Sequence, residues 1–197
     1  MTLATIAFVE RHPHCFERSL PAAEISAPAS PQLPGIPWSG KPDQDLPGHI
    51  TGSAWIVERN PISPDQQRIL LIHHRKLDRW LQPGGHADGN PDVAAVALRE
   101  AREETGLRSL RFMAKQERQP PIFDVDIHAI PVRGHEPQHL HYDIRFLLEA
   151  DATEPFGFSD EIKNVRWFNR KTIIRCLDSE SIIRMTRKNT LNYKYSR

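Results

Sequence analysis

The chain has 197 residues, with 26 lysines and arginines against 25 aspartates and glutamates, and is 39% hydrophobic and 26% charged. Such a balance fits one ordinary globular domain and excludes a disordered or membrane-embedded chain. Its longest apolar runs, Leu3 to Val9 and Ile69 to Ile72, fall far short of the roughly 20 residues a bilayer-crossing helix needs. No basic start and small-residue cleavage site of a signal peptide opens the chain, and Cys15 and Cys176 lack the spacing of a zinc or redox pair. A cytoplasmic protein with two reduced, packed thiols is expected.

In chain order, residues 2 to 11 read as a short helix, and seven of the 17 prolines then fall between Pro21 and Pro47. Proline fixes φ and removes backbone donors, so residues 1–47 are expected to form a helix and an irregular arm, with the folded domain at 48–197. His49 to Val57 and Arg68 to His74 read as strands divided by the Asn60-Pro61 turn, and Trp80 to Gln82 as a short strand ending at Pro83-Gly84-Gly85. Ile122 to Ile130 and His139 to Glu149 alternate polar with apolar residues and predict an antiparallel pair. At period two, Asp124, Asp126 and His128 share a face of the first, and His139, His141 and Asp143 a face of the second. Pairing could gather these groups around a second ion or a substrate; a polar face under solvent or under the arm is the alternative.

Val165 to Phe168 predicts a further strand, and Arg170 to Leu177 and Ser181 to Lys188 predict helices. From Ile162 onward ten basic residues face two acids, so the last 36 residues carry +8 and the first 161 carry −7. A basic end can meet a polyanion such as nucleic acid, but no aromatic residues interleave with these charges, which favours a solvated helix face and tail.

The segment Gly84 to Leu107 carries the chemistry. Asn90 suits an N-cap, Pro91 the first helical position, Asp92 the first-turn dipole and Gly106 a left-handed cap, predicting a helix over Pro91 to Thr105. At 100° per residue, Ala94, Leu98, Ala101 and Thr105 form a stripe suited to a sheet, and Glu100, Glu103 and Glu104 lie nearly opposite, over Val93, Val96 and Ala97. Three acids at i, i+3 and i+4 repel one another by about 0.2–0.5 kcal/mol per pair on an exposed helix and more when buried. Arg99 and Arg102 offset part of this. A divalent ion such as Mg²⁺ or Mn²⁺ would offset the rest, with the preceding glycine turn letting carbonyl and phosphate oxygens approach.

Gly85, followed by Arg99-Glu100-Ala101-Arg102-Glu103-Glu104-Thr105-Gly106-Leu107, resembles the box of the Nudix hydrolases. Each fixed position of that 23-residue pattern matches except its first glutamate, where this chain has Pro91. The resemblance implies an α/β fold, a single domain in which a mixed β-sheet is sandwiched between helices, and hydrolysis of a nucleoside diphosphate linked to another moiety. It also implies metal binding by Glu100, Glu103 and Glu104, with a carbonyl from Gly84 or Gly85, and positioning of the glutamates by Arg99. The missing glutamate corresponds to a structural partner of the helix more than to an ion ligand, and Asp88 or Asp92 could replace it. Glu103 is the first choice for the general base and Glu100 the second, with Glu161, in a loop before the Trp167 strand, as the distal candidate.

The substrate is less defined. His86 could donate to a phosphate, and Trp38 and Phe156 could stack on a base, while Trp80 and Trp167 suit the core. The alternative to an enzyme is a non-catalytic Nudix module binding nucleotide or a protein partner, which Pro91 would favour. An isoprenoid diphosphate isomerase would need a well-placed catalytic cysteine, which neither Cys15 nor Cys176 supplies. A homodimer remains open.

Overall fold

The computed structural model describes residues 48–113, 119–132, 137–157 and 159–195. The expected N-terminal helix and proline-rich arm, with Cys15 and Trp38, lie outside the described residues. The described elements run β1 (Gly48–Glu58), a 3-10 turn (Pro64–Gln66), β2 (Arg68–His74), β3 (Arg79–Leu81), β4 (Gly84–His86) and α1 (Val93–Thr105). They continue with β5 (Arg111–Phe112), β6 (Ile122–Ile130), β7 (His139–Ala150), β8 (Ile162–Asn169), α2 (Arg170–Cys176) and α3 (Glu180–Tyr195). None of the described helices is long and apolar enough to cross a membrane.

β1 is the axis of a mixed sheet. One edge runs parallel to β7 over its whole length, from Gly48 opposite Leu140 to Glu58 opposite Ala150. The other edge is shared: Ile56 and Val57 pair with β2, and Thr51 to Ser53 pair with β4. β7 carries β6 and β5 antiparallel beyond β1, and β2 carries β3 and β8. Alternation along β1 splits the core in two. Ile50, Ala54 and Ile56 pack with Val93, Val96, Ala97 and Ala101 of α1, while Trp55 and Val57 pack with Ile173 of α2 and Ile182 and Met185 of α3. Each valine, isoleucine or methionine among them contributes about 1.5–3 kcal/mol when fully buried, so helices are held on both faces.

Several boundaries differ from those read in the sequence. β4 was expected as a loop, because glycine is a poor strand former; it pairs because β2 leaves β1 after Ile56 and exposes an unpaired edge at Thr51 to Ser53. α1 begins at Val93, two residues later than expected. Asp92 is its cap, accepting from Ala95 N at 3.0 Å, while Asn90 Oδ1 accepts from Asp92 N in the turn before it. Gly106 does close the helix, with φ 73° and its N–H donating to the Arg102 carbonyl at 2.8 Å.

The helix face also turns differently. Val93, Val96, Ala97, Ala101, Glu104 and Thr105 are buried, and Ala94 and Leu98 sit at the flank. The two valines choose the sheet side, where Gly52 leaves room: a Cβ there would lie 2.8 Å from the Val93 carbonyl oxygen. Cys176, expected to pack, is exposed at the end of α2. Trp80 and Trp167 are partly buried against the two cores.

Opposite α1, a buried guanidinium ties the sheet to α3. Arg145 is 2% exposed and meets Asp143 at 2.7 Å, Asp126 at 3.2 Å, Asp124 at 3.3 Å and Ser181 Oγ at 2.6 Å. The basic C-terminal segment is drawn into the same network: Arg184 bonds Asp124 and Asp126 at 2.7 and 2.8 Å, and Lys188 reaches Asp124 at 3.3 Å. Two of the ten basic residues of that segment are thus neutralised within the fold. Removing one partner of a buried ion pair costs about 3–5 kcal/mol, because the other stays buried and unpaired. Arg145→Met is expected to lose that much stability in urea unfolding, and adding Asp143→Asn to recover part of it.

Candidate active site

The site is built where β4 passes under α1. Pairing with β1 fixes Gly84 beside Ser53 and Gly85 beside Gly52, and this backbone meets the glutamates of α1. The Gly84 N–H donates to Glu104 Oε2 at 2.9 Å. A Cβ on Gly85 would collide with the Glu100 carboxyl, so glycine leaves that carboxyl room against the strand. Arg99 holds the outer side, 2.8 Å from Glu100 Oε1 and 3.6 Å from Glu103 Oε2, and donates to the His86 carbonyl at 3.4 Å.

The three glutamates do not share one exposed face. Glu104 is 9% exposed, Glu100 has a side chain 16% exposed, and Glu103, at 58%, looks into solvent beside them. Burial pushes the Glu104 carboxyl up to about 8 despite the Gly84 hydrogen bond, and the charges of Glu100, Glu161 and Glu103 add to the shift. Burial also raises Glu100; Arg99 opposes this, while Glu103, Asp88 and Glu161 reinforce it. Glu161 lies just before β8, exposed and 3.8 Å from Lys76, yet within electrostatic reach of both inner carboxylates. Asp92 is occupied as helix cap, and Asp88 faces Glu100 closely enough to perturb it. Pro91 is exposed in the turn before the helix.

Several carboxylates with too little positive charge among them form a set of hard oxygen donors. Hard oxygens of this kind suit a hard divalent cation: Glu100 and Glu104 face the Gly84–Gly85 backbone with Glu103 at the solvent rim, and the repulsion among them is what an ion would relieve.

The other sequence candidates gather elsewhere. His86 points away from the glutamates, to the face of β1 that carries His49, its ring 4.8 Å from that of His49 and 5.1 Å from that of His141. His139 stands beside them, its ring 4.9 Å from His49 and 5.2 Å from His141. Burial, then the charges of His49, His86, His128 and His139, push His141 down to about 2. The six hairpin groups do not act as one cluster. Asp124, Asp126 and Asp143 are engaged by Arg145, Arg184 and Lys188 and His128 bonds Asp126, while His139 and His141 stand with His49 and His86. Burial would raise Asp126, but the His128 hydrogen bond, Arg145 and Arg184 hold it below the usual carboxylate range. Sequence reasoning missed His49, whose signal is the polar alternation of His49, Thr51 and Ser53 in an otherwise apolar strand.

The family model of the NUDIX domain matches residues 60–185. The chain belongs to the NUDIX family. Among curated NUDIX relatives, it is 31% identical over 109 residues to the "Probable DHNTP pyrophosphohydrolase" of Lactococcus lactis, covering 49% of this chain and 61% of that protein. It is 29% identical over 92 residues to "Nucleoside diphosphate-linked moiety X motif 6" of Xenopus laevis, covering 44% and 42%. The chain thus spans between two fifths and about three fifths of the length of these relatives. Among solved structures, the C. elegans Ap4A hydrolase binary complex superposes with a TM-score of 0.57 at 17% identity, covering 74% of this chain and 97% of that one, a likeness of fold.

The raised Glu104 gives the metal-free protein a defined pH response. A carboxyl that holds its proton up to about 8 when folded, but only to the ordinary glutamate value of 4.5 when unfolded, stabilises fully below the lower value and loses this contribution as pH rises through the higher. Stability of the chelator-treated protein is expected to fall between these limits, by at most about 1.4 kcal/mol per pH unit. Glu104→Gln flattens that slope in denaturant titrations at stepped pH.

Proposed function

We propose that the chain hydrolyses a diphosphate bond in a nucleoside diphosphate linked to another moiety, in the cytoplasm, with Mg²⁺ or Mn²⁺ held by Glu100, Glu103 and Glu104 beside Gly84. The observation that carries this is the convergence of under-compensated carboxylates, two of them largely buried, on the glycine backbone of β4. Membership of the NUDIX family and the pyrophosphohydrolase name of the Lactococcus lactis relative support it.

When bound there, a divalent ion supplies charge neutralisation at the phosphoryl oxygens and a lowered pKa for a coordinated water. The chain's own groups do the rest. Arg99 spans Glu100 and Glu103 and fixes their separation. The Gly84 N–H orients Glu104, and Gly85 leaves the Glu100 carboxyl room beside the strand. Glu103, solvent-facing at the rim, takes a proton from the attacking water as its oxygen bonds to phosphorus and the bond to the bridging oxygen breaks; the leaving phosphate carries away the electron pair. Glu100 is the second choice for this role, and Glu161 the distal one.

A general base is worth about 10²–10⁴ in rate. On a panel of nucleoside diphosphate derivatives with Mg²⁺ or Mn²⁺, Glu103→Gln is expected to lose that much turnover while retaining substrate binding in Ca²⁺. Full activity in Glu103→Gln with loss in Glu161→Gln moves the base to Glu161. A parent inactive across the panel overturns hydrolysis in favour of a binding module.

A further inference from the structure

The histidines on the far face of β1 form a second constellation that the glutamate site does not use. We propose that His49, His86 and His141, with His139 as fourth donor, bind a borderline transition-metal ion of the Zn²⁺ class. The ring nitrogens that His49, His86 and His141 can offer lie within 4.8 Å of one another. These residues come from β1, β4 and β7, adjacent strands whose register is set by backbone pairing: His49 stands opposite His141, and His86 opposite Thr51. Such a frame holds donors with little conformational freedom left to lose.

His139 adds a feature that a merely polar sheet face does not require. Its Nδ1 lies 2.8 Å from the Pro137 carbonyl oxygen, which can only accept, so Nδ1 carries the hydrogen and Nε2 of the neutral ring presents a lone pair. That lone pair faces His141 Nε2 at 3.3 Å, where it accepts a hydrogen bond if His141 carries its proton on Nε2 and is open to an ion if His141 carries it on Nδ1. Two nitrogens bound to one tetrahedral ion at about 2.0–2.1 Å lie about 3.3–3.4 Å apart, which is the separation found. A carbonyl fixing the far nitrogen of a ligating imidazole is the outer-shell arrangement that metal sites use. His128 repeats it at the border of the cluster: its Nδ1 lies 3.1 Å from Asp126 Oδ2, and its ring is 5.4 Å from His141.

Donor chemistry separates this site from the glutamates. Neutral imidazoles suit Zn²⁺, Co²⁺, Ni²⁺ or Fe²⁺ and serve Mg²⁺ poorly, whereas the α1 carboxylates have the reverse preference. The two sites lie on opposite faces of β1 and share β4, with His86 next to Gly85. An ion among the histidines would cross-link β1, β4 and β7 and brace the strand that carries Gly84 and Gly85.

The test uses the full chain without an added histidine tag, stripped with chelator and titrated with Zn²⁺ by calorimetry and with Co²⁺ by visible absorption. One equivalent is expected to bind, with the intense d–d band of tetrahedral nitrogen coordination, and both signals persist in the Glu100→Gln/Glu103→Gln/Glu104→Gln variant and under excess Mg²⁺. His49→Gln and His141→Gln are expected to weaken Zn²⁺ by about 10–100-fold or more. Should either fail to fold by circular dichroism, the less buried His86→Gln and His139→Gln carry the comparison. Equal Zn²⁺ affinity in parent and histidine variants, or loss of binding in the glutamine triple variant alone, overturns the proposal. So does a parent that takes up no Zn²⁺ but is stabilised by inorganic phosphate, which would make the cluster an anion site.

Discussion

The pairing of β1 is the constraint on which the rest of this molecule depends. Its parallel ladder with β7 runs from Gly48 to Glu58, and its other edge is divided between β4 and β2. Because side chains alternate across a strand, a one-residue slip would exchange the faces. The register brings His49 to His141 on one face and Gly52 under α1 on the other. It also sets Gly84 and Gly85 against the carboxylates of α1, since β4 pairs with β1 at Thr51 to Ser53. Neither the glutamate site nor the histidine cluster would survive a different register.

Electrostatics is handled in opposite ways on the two faces. Around Arg145, three aspartates are matched by Arg145, Arg184 and Lys188, and the network joins β6, β7 and α3 into a closed, compensated unit. Asp143 extends it to β1 through Thr51 at 3.0 Å and Ser53 at 2.7 Å. Around α1, Glu104 is nearly buried and meets a neutral N–H, and Arg99 serves Glu100 and Glu103 together. A buried carboxylate without a full countercharge keeps its proton at the expense of its charge. The first arrangement is that of a structural element; the second leaves carboxyl groups without a full countercharge.

Pro91 is less disruptive than the box pattern suggests. The helix starts at Val93 and is capped by Asp92, so residue 91 lies in the turn before it with its side chain exposed. The inner carboxylates are positioned by Gly84, Gly85 and Arg99, none of which requires an acidic group at 91. The cost of the exchange falls on the turn, where Asn90 and Asp92 already supply the hydrogen bonds.

By itself the sequence determined the parts whose signal is local. β2 is marked by its apolar run and β6 by its alternation, Gly106 closes α1 in the left-handed conformation, and the spacing of Arg99, Glu100, Glu103 and Glu104 is visible because one helix carries all four. Tertiary structure decided what no local signal contains. Gly84 to His86 became a strand because β2 leaves an edge of β1 unpaired, and Glu104 became buried because the bulk of Val93 and Val96 turned α1 about its axis toward Gly52. Asp124 and Asp126 were claimed by Arg184 and Lys188, from a helix about 60 residues away in sequence. The histidines from three strands converged because backbone register, which periodicity along one strand does not encode, placed them side by side.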